Sequence, residues 1–303
     1  MNNNTLGDTI RKLRKRLNLT QEELADGICS PVSISRIENG TQMPSHAVLN
    51  ALLTRLGTGT YQLCDIYYRS DRELAFDAKA SEVAELIQLG QYSAAKDALP
   101  SLKDFIADSN INKQYYLLLS ATIQLQYLQQ PDLALSSLYT ALDLTKPNIN
   151  LKDFRNLLLT VAEANILNLI SVALLQTGKT LQAIHLAEEL HDSLSKHQTT
   201  LKDYTILRIN VAFNLAQFME KENRYQEALN YCTEAESLSL NSMEQLLLPE
   251  IEFIKAKAYH LLGNNEDCSA ILKAIIPYME LINKHSFASL VRDYAHRELH
   301  LEL

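Results

Sequence analysis

The sequence predicts an all-α chain, with a small N-terminal bundle of short helices followed by an array of helix pairs. Three observations carry this. Helix breakers are scarce, with 8 Gly and 7 Pro in 303 residues, and Leu, Ala, Gln and Glu abound. The first 70 residues fall into short amphipathic segments with cap signals at their ends. Beyond them, a turn residue with a small residue five later recurs five times, twice with a tyrosine two after the turn.

The N-terminal segments come in order. "LGDTIRKLRKRL" sets Leu6, Ile10, Leu13 and Leu17 on one stripe, with basic residues around it. "LTQEELADGI" opens on a capping box, Thr20 with Glu23, and turns Leu24, Ala25 and Ile28 inward. "SPVSISRIENG" is a helix over 31–39. Ser30 caps it, Pro31 fits the first position, which needs no amide donor, and Gly40 suits a left-handed stop. Its apolar edge is only Ile34 and Ile37, which leaves Pro31, Val32, Ser33 and Arg36 mostly off that edge. "PSHAVLNALLTRLG" follows, with Ser45 as cap and Val48, Leu49, Leu52, Leu53 and Leu56 apolar. A fifth helix is expected to start near Thr60.

Charge divides along the same line. Residues 1–70 hold eight Lys/Arg against six Asp/Glu, and the remainder twenty against thirty. The excess is densest in "RKLRKR", Arg11 to Arg16. A basic end on an acidic body suits a polyanion at one end and a different partner at the other. No uncharged apolar run is long enough to span a membrane, and the start has no apolar signal core. Cys29, Cys64, Cys232 and Cys268 lie far apart without metal-ligand spacing, which reads as reduced thiols in a cytoplasmic protein.

In the array, "GQYSAA" gives Gly90, Tyr92 and Ala95, and "NRYQEA" gives Asn223, Tyr225 and Ala228. "QQPDLA", "GKTLQA" and "GNNEDC" supply Gln129 with Ala134, Gly178 with Ala183, and Gly263 with Cys268. The turns are spaced 39, 49, 45 and 40 residues apart. Each lies between two helical patterns, and the small residue marks where the paired helices cross closely; Ala235 repeats that role one heptad after Ala228.

Two resemblances follow. "LTQEELADGICSPVSISRIENG" resembles the Xre/phage-repressor class of helix-turn-helix domains over residues 6–67. The resemblance implies that the 31–39 helix enters the major groove and that Arg14 and Glu38 brace the helices as an ion pair. It implies a DNA-facing set of Gln21, Ser30, Pro31, Val32, Ser33 and Arg36, with phosphate charge from Arg11, Lys12 and Lys15. Arg36 can bond guanine through two donors and Val32 can touch a thymine methyl. Pro31 and Val32 make it a sparse reader of bases, one that leans on DNA shape. The repeats resemble tetratricopeptide repeats (TPR), which stack as a right-handed α-solenoid with a concave wall for an extended peptide.

The first helix of each pair lines that wall. Tyr116 and Tyr127 come from the second repeat and Asn165, Asn168 and Gln176 from the third. Asn210, Phe213, Asn214 and Gln217 come from the fourth, and Phe253 and Lys257 from the fifth. Asparagine is a mediocre helix former, so four in two central helices suggest a purpose. Each amide offers a donor and an acceptor to a peptide backbone.

An Xre-type domain (1–67) followed by about five TPR-like helix pairs (68–303) resembles the RNPP peptide-pheromone regulators of Gram-positive bacteria, in the PlcR-like arrangement. The resemblance implies quorum sensing: a DNA-binding transcriptional regulator whose Asn clamps, Asn214 foremost, hold a short signalling peptide. It further implies a homodimer through the repeat domain, reading a palindromic operator, with no enzyme activity and no cofactor. One rival is a TPR adaptor for a protein partner, tethered to DNA by its head; a second is a repeat-domain phosphatase or inhibitor of a response regulator, against which the intact "ISRIENG" head argues. Phosphate loops, nucleophile elbows and paired catalytic carboxylates are missing from the sequence. "HRELH" sets His296 and His300 four apart on an expected helix, a possible metal pair without a third ligand; His185, His191 and His197 are six apart and do not align.

Overall fold

The computed structural model describes residues 6–57, 71–106, 109–196 and 202–301. Thr60, where a fifth helix was expected, Cys64 and His197 lie outside them. Helices and no strand occur among the described residues. They pack as two compact units, 1–201 and 202–303.

The first unit begins with four short helices, α1 Leu6–Arg16, α2 Gln21–Ala25, α3 Pro31–Glu38 and α4 His46–Arg55. The expected cap chemistry forms. Thr20 and Glu23 make a reciprocal capping box, Ser30 accepts from the Ser33 amide at α3, and Ser45 accepts from the Val48 amide at α4. α3 ends at Glu38, with Asn39 as its cap and Gly40 left-handed beyond it. Ile10, Leu24, Ile34, Ile37, Leu49, Leu52 and Leu53 fuse into one core with Leu6, Leu13 and Ile28 at its edge. Leu17 departs from the expected stripe and stands exposed, because α1 ends at Arg16, one residue before it.

The repeats follow in this unit as α5 Asp71–Gln88 with α6 Tyr92–Ala98, α7 Asn110–Gln126 with α8 Pro131–Asp143, and α9 Val161–Gln176 with α10 Thr180–Lys196. A 3-10 turn, Leu99–Phe105, continues α6. The second unit holds α11 Lys202–Lys221 with α12 Tyr225–Ser242, α13 Leu248–Leu261 with α14 Asn265–Leu281, and a last helix, α15 His285–Leu299.

The five turn residues read from the repeat pattern all have positive φ: Gly90, Gln129, Gly178, Asn223 and Gly263. This left-handed step reverses the chain between paired helices. All five small residues, Ala95, Ala134, Ala183, Ala228 and Cys268, are completely buried, and so is Ala235. A side chain of one or two heavy atoms at each crossing is what lets the paired backbones approach.

Candidate nucleic-acid interface and repeat wall

The head is organised around one carboxylate. Glu38, the last residue of α3, is fully buried at its side chain and is gripped from three sides. Arg14 donates Nε to Oε1 at 2.6 Å and Nη2 to Oε2 at 2.9 Å. Gln21 Nε2 donates to Oε2 at 2.8 Å and Arg11 Nε at 3.4 Å. Burial opposes ionisation of Glu38, but the bonds from Arg14 and Gln21 outweigh it and hold the carboxyl below its usual range. Arg14 also donates Nη1 to the Leu19 carbonyl at 2.7 Å, so α1, α3 and the α1–α2 turn are tied through one guanidinium.

This arrangement fixes what α3 presents. Ile34 and Ile37 point into the core, while Pro31, Val32 and Arg36 are exposed, with Val32 at 58%. Ser33 is half-buried, and its hydroxyl lies 2.9 Å from that of Ser30. Lys12 and Lys15 are exposed on α1. Two residues of the expected DNA-facing set are engaged inside the head. Gln21 is bonded to Glu38, and Arg11 spans Glu38 and the Asn39 side chain. The sequence could not separate these partners from free contacts, since only the folded geometry places Glu38 between them.

On the repeat helices of the first unit, Asn165 is partly exposed on α9 and Asn168 is buried at 6%. Gln176 is exposed at the end of α9, Tyr127 is exposed at the end of α7, and Tyr116 is half-buried with Lys103 Nζ 5.9 Å from its ring centre. In the second unit, Asn210, Phe213, Asn214 and Gln217 form one partly exposed stripe along α11, between buried Ile209, Ala212, Leu215 and Ala216. The stripe continues to Glu220, which the sequence reading passed over. Its spacing, three after Gln217, is the signal that could have found it. Glu220 pairs with Lys257 of α13, and Lys257 Nζ lies 5.7 Å from the Phe253 ring centre. Phe253 itself is 8% exposed and packs edge-on against Phe287 and Tyr294, so it supports this face from below.

Two further clusters went unread. Lys255 Nζ sits 2.5 Å from Glu236 and 3.6 Å from Glu252, so one ammonium serves two carboxylates. In the first unit, Arg55 is completely buried against Glu163. Thr160-Val-Ala-Glu163 reads as a capping box in sequence, and α9 does begin with one. His300 lies beyond α15, left-handed at its cap, so it does not share a helix face with His296; no group of three metal-binding side chains occurs among the described residues. No described helix is long and apolar enough to cross a membrane.

Comparison with known proteins bears on both halves. Residues 10–63 match the helix-turn-helix family. No curated protein matches the chain. Among solved structures, the chain is similar to PlcR from Bacillus thuringiensis in complex with the peptide PapR7 and DNA. The TM-score is 0.63 at 19% identity, over 94% of this chain and 98% of that one. It is similar to the apo competence regulator ComR of Streptococcus vestibularis, at TM-score 0.56 and 16% identity over 96% and 97%. Aspartyl phosphate phosphatase F from Bacillus subtilis is also similar, at TM-score 0.56 and 12% identity over 97% and 80%. Residues 10–63 are thus an Xre-type helix-turn-helix domain, and the chain carries it ahead of TPR-like repeats in the fold of the RNPP regulators PlcR and ComR.

Proposed function

We propose that this chain is a cytoplasmic DNA-binding transcriptional regulator, with a head over 1–67 and a repeat domain over 68–303. A short signalling peptide bound along the inner helices of that repeat domain controls it. The observation that carries the reading is α3: a capped helix anchored by Ile34, Ile37 and Glu38, with Pro31, Val32 and Arg36 outward. A buried edge with an exposed opposite edge is how a recognition helix is presented to the major groove. PlcR, whose fold the chain shares, is seen with both a peptide and DNA.

In this reading, Arg36 makes the strongest base contact and Lys12 and Lys15 meet phosphates. Arg11 and Gln21 act by holding Glu38, and so the pose of α3. Asn210, Asn214 and Gln217 supply amides at one-turn spacing, suited to the backbone of an extended peptide. Two heads on a homodimer would read a palindrome whose half-sites lie about 34–36 Å apart.

The rival phosphatase reading draws on the likeness to aspartyl phosphate phosphatase F. The helix-turn-helix match over residues 10–63 favours the regulator. The test has two arms. Genomic selection of bound DNA should return a palindrome, and Arg36→Ala should lose preference at one position of each half-site. Calorimetry with short hydrophobic peptides encoded beside the gene should show binding that Asn214→Ala abolishes. An absence of selected DNA sinks the regulator, and an absence of peptide binding leaves the adaptor.

A further inference from the structure

The head is fastened to the repeats at a dry, charged seam, and its recognition edge takes no part. Arg55 closes α4. Its Nη1 donates to the Leu24 carbonyl at 3.3 Å and to the Asp26 carbonyl, both at the end of α2. Its Nη2 donates to Glu163 Oε1 at 3.3 Å and Oε2 at 3.2 Å, 108 residues along the chain, and neither side chain has any exposed surface. Glu163 cannot swing away alone. Its Oε2 also accepts the Thr160 amide at 2.7 Å, in the box that begins α9.

A second contact lies beside the first. Gly27, left-handed, is so close to the Thr145 carbonyl oxygen that a Cβ there would overlap it. Thr145 is fixed in turn, because buried Gln114 donates Nε2 to its hydroxyl at 2.6 Å and to the Ala141 carbonyl at 2.9 Å. Lys146 pairs with Asp26 at the rim.

A buried ion pair has no favourable half-open state, because separating the two charges in a dry seam leaves both unsatisfied. The seam is therefore either closed or hydrated. We propose that Arg55 and Glu163 lock the helix-turn-helix head to the first turn of α9, so that head and α9 move as one body and a ligand on α9 acts on DNA by re-aiming the head. The regulatory half of this rests on the proposed peptide wall, since Asn165 and Asn168 follow Glu163 on the same helix. The lock itself does not.

The test uses the full chain without peptide or DNA. Nitrogen-15 relaxation should give head amides the same rotational correlation time as amides of 109–196. Glu163→Ala should let the head tumble several-fold faster with head chemical shifts otherwise native, and Arg55→Met should do so with shifts confined to the end of α2, where it releases the Leu24 and Asp26 carbonyls. Thr160→Ala, which weakens the α9 cap but keeps the carboxylate, should leave the head slow. A head that already tumbles fast in the wild type would overturn the lock. So would a slow head in Glu163→Ala, the variant that leaves the head's own bonds intact. Failure of peptide binding would leave these outcomes unchanged.

Discussion

At the scale of single residues, charge placement decides more than charge count. Glu38 is buried and shared by Arg14, Gln21 and Arg11, so Glu38→Ala would leave the largely buried Arg14 without its counter-charge. Loss of one partner of such a pair costs about 3 kcal/mol or more. Hydrogen exchange of α1 and α3 amides should show that loss confined to the head. The carboxyl of Glu38 is held below its ordinary range, so its stabilising effect is complete above the usual carboxylate pKa and lost as pH falls through its lowered one.

Glu252 has the opposite sign. Burial first, then the neighbouring Glu236 carboxylate, push it up to about 7 against the pull of Lys255. The folded unit thus binds a proton that the unfolded chain releases near pH 4.5, and stability falls as pH rises from about 5 to 7. Glu252→Gln should raise the unfolding temperature at pH 8 and change it little at pH 5, as calorimetry would show. Arg14 with Glu38 was legible, because both stand in motif positions. The role of Glu252 was not, because a carboxylate on a helix reads as surface until its neighbours are known.

At the scale of elements, the caps and turns were legible and the ends less so. Ser30, Thr20 and Ser45 each do locally what their spacing implies, because capping involves only residues three apart. The turn at Asn283, left-handed like the other five, and α15 after it were not read, although Ala288, five later and completely buried, carries the same small-residue signal; the turn follows Gly263 by only 20 residues, about half the spacing of the others. The pair α11–α12 meets tightly around Ala228 and Ala235, both without exposed surface. Ala228→Leu should over-pack that crossing and cost about 1–3 kcal/mol, visible as a lower denaturant midpoint for the 202–303 unit. Leu is the better helix former of most residues that could stand there, so a loss would come from the crossing and not from helix propensity.

At the scale of the whole molecule, the two ends carry opposite electrostatic balances while the chain totals -8. Under the proposed function, affinity for DNA comes from few phosphate contacts per head, because Arg11 and Arg14 are turned to Glu38. Each phosphate neutralised contributes about -0.9 to the slope of log affinity against log salt. Lys15→Ala should flatten that slope by about one per head and weaken all sequences alike. Arg36→Ala should instead cost about 1–3 kcal/mol at one base position. Titrations at several salt concentrations separate the two. The helix-turn-helix and the repeats were both legible at this scale, since each is a local pattern repeated or concentrated. The seam between head and repeats was not. Arg55 and Glu163 belong to no common motif, and nothing in either segment names the other.

That seam also limits modularity. A head from another regulator, joined at any point after Leu56, would arrive without a matched partner unless it brought an arginine at the position of Arg55 and a residue as small as Gly27. Chimeras cut between these segments should therefore be expressed as poorly docked pairs, and repaired by restoring the two positions together. Among natural relatives, the same pair would be inherited or lost as a unit.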